Sequence, residues 1–315
     1  MNTGMKITAF AAALAATFGT AYAVGKGVGP VDEPRKTESG SHAGHEETAG
    51  EAPAQAAAQA TELPGGLQIS EGGYTLALET PTPPVGRSTL KFSIQDATGK
   101  KVTAFATEHE KELHFIVASR DLTVFRHLHP EKAPDGTWTV DADLPAAGAY
   151  KAFADFKPAA KGAKAVTLGV DLGVPGAYAP RPLPAAAPTA TVDGYQVRLG
   201  GTLDPGKPGE LRLTVSKGGE PVTDLQPYLG AYGHLVALRQ GDLAYLHVHP
   251  NEGGPGPDVS FTATAPTPGT YRLFLDFKHE GEVRTAAFTV RAGAPGKAPA
   301  PAETAERDAG GHAHG

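Results

Sequence analysis

The segment GAYKAFADFK at residues 148–157 recurs as GTYRLFLDFK at residues 269–278. Three further blocks recur in the same order at nearly the same spacing: GYTLAL matches GYQVRL, LKFSI matches LRLTV, and HLHP matches HVHP. Four matched blocks in one order are most simply explained by a duplication. The sequence therefore predicts two copies of one domain.

Each copy is built from short segments rich in Val, Leu, Phe, Thr and Tyr, bounded by clusters of Gly, Pro or Asp. The 40 Gly and 28 Pro of the chain argue against an all-helical protein, since both residues interrupt helices. Regularly spaced short strands are typical of sandwiches and barrels. The predicted fold class is all-β, with two tandem immunoglobulin-like or cupredoxin-like β-sandwich domains and disordered N- and C-terminal segments.

Composition sets the predicted domain boundaries. An apolar, Ala-rich run ends in the A-x-A sequence at residues 21–23, which predicts a signal peptide cleaved before Val24. The alternative is an uncleaved membrane anchor, because the run reaches the lower length limit of a spanning helix. Both alternatives place the rest of the chain outside the cytoplasm, secreted or anchored to the outer face of the membrane. The predicted segments are 1–23 (signal peptide or anchor), 24–62 (disordered His-containing tether), 63–174 (repeat 1), 175–188 (Pro-rich linker), 189–292 (repeat 2) and 293–315 (disordered His-containing tail).

Residue content argues against several classes of function. A net charge of -6 and a pI near 6.1 argue against nucleic-acid binding, because no basic surplus exists to neutralise phosphates. The chain has no Cys, which excludes disulfides and thiolate metal sites, and its two Met residues lie at positions 1 and 5. Any metal site must therefore use His, Asp, Glu or backbone oxygen, and the 12 His make such a site plausible.

Three histidines of copy one fall on a predicted hairpin. If Arg120–Asp121 form a two-residue turn, His114 lies directly opposite His127, and His129 follows two residues along on the same face. Opposed Cβ atoms are about 4.5–5.5 Å apart and diagonal ones about 7–8 Å. Three imidazoles at such separations can converge on one ion at about 2.0 Å per bond.

Copy two repeats the pattern. A turn at Gln240–Gly241 places His234 opposite His247, with His249 beside it. We name His114, His127 and His129 the first triad, and His234, His247 and His249 the second triad. Each triad predicts a metal site, with histidines packed at the edge of the core and bonded to backbone as the alternative.

Further polar residues are candidates for supporting roles. Asp155 and Asp276 each lie in an apolar strand, where a carboxylate is costly unless paired. Such a carboxylate pairs with Lys or Arg, orients a ligand His, or ligates directly. His109 occurs only in copy one, and its odd spacing from His114 puts it on the opposite face unless a bulge intervenes. Weak accessory ligands are predicted in the terminal segments: His42, His45, His312 and His314.

The segments LHFIVASRDLTVFRHLHP and YLGAYGHLVALRQGDLAYLHVHP, with the strands that follow them, resemble an uncharacterised family of bacterial proteins. Its members are actinobacterial-type, secreted or membrane-anchored tandem β-sandwich proteins, often labelled heavy-metal-binding. The resemblance covers roughly residues 70–292. It implies a non-enzymatic metal role, in domains similar to the β-sandwich modules of bacterial copper handling. The chain departs from Met-rich Cu(I) chaperones, because it has no Met cluster.

We therefore expect an extracytoplasmic divalent-metal-binding protein, with Cu(II) favoured and Zn(II) next, that sequesters or delivers the metal. Binding should weaken below about pH 6, because imidazole must be neutral to ligate. The alternative is a non-metal structural or interaction module of the cell envelope, with an envelope protein as partner. The membrane is contacted only through the N-terminal segment, if uncleaved. A cupin-like metalloenzyme is the third and weakest alternative, and an enzyme is not expected, because the HxH motifs lack the Glu that cupin metalloenzymes place after them and no P-loop or nucleophile-elbow motif occurs.

Overall fold

The computed structural model describes residues 63–293, apart from His247 and the side chain of His249. All regular elements in this part of the chain are β-strands. No helix there is long and apolar enough to span a bilayer. The predicted signal segment, tether and tail lie outside the described residues.

Repeat 1 folds into two antiparallel sheets. One has the strand order β1-β2-β3-β8-β7, and the other has the order β10-β9-β5-β6, with β4 also paired to β9. The strands are β1 (Ser70–Glu71), β2 (Tyr74–Leu78), β3 (Gly86–Gln95), β4 (Phe105–Ala106), β5 (Leu113–Ser119), β6 (Phe125–Leu128), β7 (Glu131–Lys132), β8 (Thr137–Leu144), β9 (Gly148–Pro158) and β10 (Val166–Val174).

Repeat 2 has the same arrangement. Its sheets have the orders β11-β12-β13-β18-β17, with β14 also paired to β13, and β16-β15-β19-β20. The strands are β11 (Thr189–Val192), β12 (Tyr195–Gly200), β13 (Gly209–Lys217), β14 (Glu220–Pro221), β15 (His234–Arg239), β16 (Tyr245–Leu246), β17 (Val248–Pro250), β18 (Asp258–Ala263), β19 (Gly269–His279) and β20 (Glu282–Ala292).

Alternation of side chains along the inner strands produces the two-layer packing. In β13, Leu211, Leu213 and Val215 are buried, whereas Arg212 between them is exposed. Successive side chains of a strand point to opposite faces, so this pattern turns one face of the sheet toward the core. Each repeat has its own apolar core between its two sheets. The predicted all-β class with tandem sandwiches is confirmed.

A buried tyrosine in each repeat supports the immunoglobulin-like topology. Tyr150 and Tyr271 lie near the starts of β9 and β19, and both are almost fully buried. The Tyr150 hydroxyl donates to the Ala146 carbonyl at 2.7 Å, and the Tyr271 hydroxyl donates to the Thr267 carbonyl at 2.8 Å. Immunoglobulin-like sandwiches carry such a tyrosine corner at the sixth strand. The strand orders match the same topology, which decides between the two sandwich types that the sequence left open.

The two repeats pack against each other through their β5- and β15-containing sheets. Every residue of β5 is buried, because this strand has the core of repeat 1 on one face and repeat 2 on the other. The rings of Phe125 and Phe274 stack across the contact at 4.0 Å. The buried apolar residues of this contact, named here the repeat interface, are Ile116, Ala118, Leu122, Phe153, Val236, Leu238, Leu243 and Phe274.

We expect Tyr150→Phe and Tyr271→Phe each to lower the free energy of unfolding by about 1 kcal/mol, because each removes one hydrogen bond and leaves a carbonyl without its donor. Urea unfolding followed by circular dichroism measures the change. Tyr178→Phe is the matched control, since Tyr178 is 54% exposed. If the two corner variants had the same free energy of unfolding as this control, the tyrosine corner would not stabilise the fold.

Candidate metal centre

The hairpin of repeat 1 differs from the predicted one by a register shift of two residues. His127 pairs with Ile116 rather than with His114. The Ser119 amide donates to the Val124 carbonyl at 3.0 Å, so the loop contains four residues, 120–123. The predicted two-residue turn is wrong. A shift of two leaves every side chain on its predicted face, because the side-chain period of a strand is two.

An aspartate side chain accounts for the longer loop. The Asp121 carboxylate accepts from the Thr123 amide at 3.2 Å and from the Ser119 hydroxyl at 2.6 Å. In repeat 2, the Asp242 carboxylate accepts from the Ala244 amide at 3.1 Å. An Asp that bonds the backbone two residues on stabilises a local turn of its own. The predicted turn at Gln240–Gly241 is lengthened in the same way.

The first triad converges as predicted from its shared face. Its ring centroids lie 4.9 Å (His127 to His129) and 5.3 Å (His114 to each of the others) apart. One ring nitrogen from each residue lies within 4.8 Å of the other two. Imidazoles that share a tetrahedral ion at about 2.0 Å have centroids about 5 Å apart. The three rings therefore have the separations that one bound ion would require.

Hydrogen bonds fix which nitrogens of the triad face one another. Nε2 of His114 lies 3.3 Å from the Glu108 carbonyl oxygen, an acceptor, so this nitrogen carries the hydrogen. Nδ1 of His127 lies 2.8 Å from the Asp276 carboxylate and is likewise the donor. The remaining nitrogens, His114 Nδ1 and His127 Nε2, face each other at 3.1 Å. In this tautomer the two lone pairs face each other, an arrangement that a proton or a metal cation between them would stabilise.

The third member of the triad has a buried nitrogen without a partner. Nε2 of His129 makes no hydrogen bond within the described residues and is shielded from solvent. Burial lowers the pKa of His129 to about 4 and that of His114 to about 3. Both rings are therefore neutral at pH 7, which is the form that binds metal.

Repeat 2 contributes directly to the centre through Asp276. Asp276 is buried, and its carboxylate accepts from His127 of repeat 1 with one oxygen and from the Thr285 hydroxyl with the other. A carboxylate on the distal nitrogen of a ligand His fixes the tautomer and raises the basicity of the ring. Asp155 occupies the corresponding place in repeat 1, beside His114 in the strand register, and accepts from Thr167.

His234 lies close to the first triad rather than apart from it. Its centroid is 6.2 Å from that of His127 and 6.4 Å from that of His114. Its Nε2 donates to the Tyr228 carbonyl at 2.8 Å, which repeats the contact of His114 with Glu108. Burial lowers the pKa of His234 to about 4. A cavity of about 70 Å³ is lined by residues of both repeats, among them His114, His127 and His234.

His109 also lies at this cavity, against the prediction from its spacing. A tight turn pairs Glu108 with Lys111 and reverses the chain just before β5. The His109 ring therefore returns to within 6.2 Å of the His114 ring. Because the alternation of side chains along a strand does not continue across this turn, the expectation that His109 lies on the face opposite to His114 is wrong.

Sequence reasoning missed the two backbone carbonyls that orient the histidines. They belong to Glu108 and Tyr228, each six residues before the histidine it contacts. Gly230 marks the turn in repeat 2, but Glu110 occupies that place in repeat 1, so the shared signal is hidden. For the second triad, His247 and the His249 side chain lie outside the described residues, and its site stays a prediction. The terminal histidines 42, 45, 312 and 314 lie outside them as well.

Both repeats match a family model described as a domain of unknown function, DUF8832, over residues 68–171 and 190–294. The two matches together cover more than half of the chain. The chain belongs to the DUF8832 family. This DUF8832 protein thus carries two copies of the family domain, which confirms the predicted tandem family, while the match itself says nothing of actinobacteria, HLHP motifs or metal. No curated protein matches the sequence.

Several solved structures are similar to this DUF8832 protein. InvD of Yersinia pseudotuberculosis is 11% identical, with 74% of this chain and 62% of that chain covered and a TM-score of 0.24. Invasin, titled a bacterial integrin-binding protein, is 14% identical, with coverages of 71% and 41% and a TM-score of 0.21. Domains 4 and 5 of the S-layer protein SbsC are 13% identical, with coverages of 72% and 100% and a TM-score of 0.21. The chain spans less than two thirds of the InvD and invasin structures.

We expect the metal-free protein to lose stability as the pH falls from about 6.5 toward 4. His129 has a folded pKa of about 4 and a reference pKa of 6.5, so the unfolded chain binds its proton first. Above the reference pKa the ring is neutral in both the folded and the unfolded chain. Below it, proton uptake by the unfolded chain lowers the free energy of unfolding. Each such group contributes a slope of about 1.4 kcal/mol per pH unit. Urea unfolding between pH 6 and 4.5, with chelator present, measures the slope.

His129→Gln removes one of these titrating groups and should reduce that slope by about 1.4 kcal/mol per pH unit. Tyr150→Phe serves as the control, because it lowers stability without removing a titrating imidazole. An unchanged slope in His129→Gln would mean that the ring is not buried in its neutral form.

Proposed function

We propose that this protein binds a divalent transition-metal ion at the first triad and does not catalyse a reaction. The observation that supports the proposal most directly is the 3.1 Å approach of His114 Nδ1 to His127 Nε2, with the other nitrogen of each ring tied to an acceptor. A cation between the two lone pairs converts a repulsive contact into two bonds. The partnerless Nε2 of His129 supplies a third donor.

The donor set favours copper, followed by zinc. An all-imidazole site suits both Cu(II) and Zn(II), and Cu(II) has the highest intrinsic affinity among divalent first-row metals. A sulfur site for Cu(I) is excluded in the body of the chain, which contains no Cys and has Met only at positions 1 and 5. The role that fits is sequestration or delivery of the ion. Delivery implies an envelope protein as the receiving partner.

The proposed location is outside the cytoplasm. It is supported by the signal-like start of the sequence, an apolar run that ends in Ala21-Tyr22-Ala23. Absence of cysteine is compatible with an oxidising compartment, where a free thiol would be reactive. Cleavage of this segment would release the repeats, whereas an uncleaved segment would anchor them to the outer face of the membrane.

The direct test counts bound ions. Full-length protein in which His42, His45, His312 and His314 are replaced by Ala is stripped with chelator and dialysed against equimolar Cu(II) and Zn(II). Elemental analysis should find retained copper, and His127→Ala/His129→Ala in the same background should retain one equivalent less. Titration should also release protons, because a metal displaces any proton held between the facing nitrogens.

His279→Gln is the matched control for this count. His279 bonds Tyr195 and Asp224, away from the centre, so its replacement removes an imidazole without removing a proposed ligand. Unchanged stoichiometry in the double variant would contradict the site. No retained metal in the parent protein would contradict the function and favour a partner-binding module.

We expect Asp276→Asn to weaken metal affinity about 10- to 100-fold while the number of bound ions stays the same, because the neutral amide no longer raises the basicity of His127. A competition titration with a chelator of known affinity gives the change. Asp171→Asn is the control, since its carboxylate is 73% exposed and pairs with Lys151. If the two variants bound metal with equal affinity, Asp276 would have no role in orienting His127.

A further inference from the structure

His109 adopts a backbone conformation that only a few non-glycine residues tolerate. It has φ +49°, and the next residue, Glu110, has φ +62°. The equivalent residues of repeat 2, Leu229 and Gly230, have φ +54° and +76°. Such residues persist only where the surrounding structure requires them. Leu229 is buried at 5% exposure, so packing explains its side chain, whereas His109 is exposed and packing does not explain it.

The His109 ring faces a histidine of the other repeat. Its centroid is 5.5 Å from that of His234, close to the 4.9–5.3 Å found within the first triad. His234 donates through Nε2 to the Tyr228 carbonyl, so its Nδ1 bears the lone pair. Two imidazoles at this separation can hold one cation between them.

Open space connects this pair to the surface and to the triad. His109 lines an open cleft of about 420 Å³ together with His114, and both residues also line the 70 Å³ cavity beside the triad. The cleft carries the carboxylates of Glu108 and Glu112, whose charges are matched by Lys157 and Lys132. His109 therefore lies where the cleft meets the inner cavity.

We propose that His109 and His234 form a loading pair, a weaker cation site through which the metal enters and leaves the first triad. This inference rests on the proposed function. His114 is buried, and His127 and His129 are partly buried with Nε2 of His129 shielded from solvent, so a hydrated cation that moves directly into the triad has to lose most of its water shell in one step. Two imidazoles at the cavity mouth replace part of that shell while the ion is still in contact with solvent. The pair thus acts on the rate of exchange and leaves the final affinity unchanged.

His109→Leu tests the loading pair with a side chain that the other repeat already accepts at this backbone position, as Leu229. The background is the full chain with Ala at the four terminal histidines. Stopped-flow absorbance of the imidazole–Cu(II) bands follows loading, and excess chelator follows release. We expect loading and release each to slow by about tenfold, with the stoichiometry and Kd of the triad unchanged.

Glu110→Gly is the matched control, since it introduces the glycine of repeat 2 into the same turn and keeps the imidazole. It should exchange metal at the parent rate. Loading of His109→Leu at the parent rate would overturn the loading pair while leaving the metal centre in place. Loss of the tight ion in His109→Leu would also overturn it, because His109 would then be a ligand of the centre itself. A parent protein that binds no ion would overturn the proposed function instead.

Discussion

The hydrogen bond between His127 and Asp276 is the point on which the arrangement of the centre depends. It joins the two repeats, and both of its side chains are buried, at 6% and 4% exposure. Because Asp276 takes the Nδ1 hydrogen, His127 has to present Nε2 to His114. The carboxylate is held in turn by Thr285, so the orientation of an imidazole in repeat 1 is set by two neighbouring strands of repeat 2.

The repeat interface strengthens the electrostatic interaction between Asp276 and His127. A charged carboxylate beside an imidazole is weakly coupled in water and strongly coupled where water is excluded. Phe125 and Phe274 precede His127 and Asp276 by two residues on the same strand faces, so their stacked rings place apolar surface beside this bond. The electrostatic environment of the triad therefore depends on the packing of the two repeats. Neither repeat alone contains both the triad and the carboxylate of Asp276.

The sequence was informative where the relevant signal is local. Duplication, strand content and the shared face of His114, His127 and His129 all follow from short patterns, and the shared face survives a register shift of two. The length of the hairpin loop depends on side-chain bonds of Asp121, which periodicity does not report. Contacts between the repeats depend on tertiary packing, so the meeting of His127 with Asp276 and of His109 with His234 could not be derived from spacing.

The tandem arrangement has a consequence for how the contact between the repeats responds to dilution. A repeat standing alone would expose the apolar face that includes Ile116 and Phe153, and would cover it only at concentrations high enough for self-association. Linkage through residues 175–188 makes the contact intramolecular, at an effective concentration on the order of millimolar. Dilution therefore does not separate the two halves of the candidate centre, and the approach of Asp276 to His127 does not depend on how concentrated the protein is.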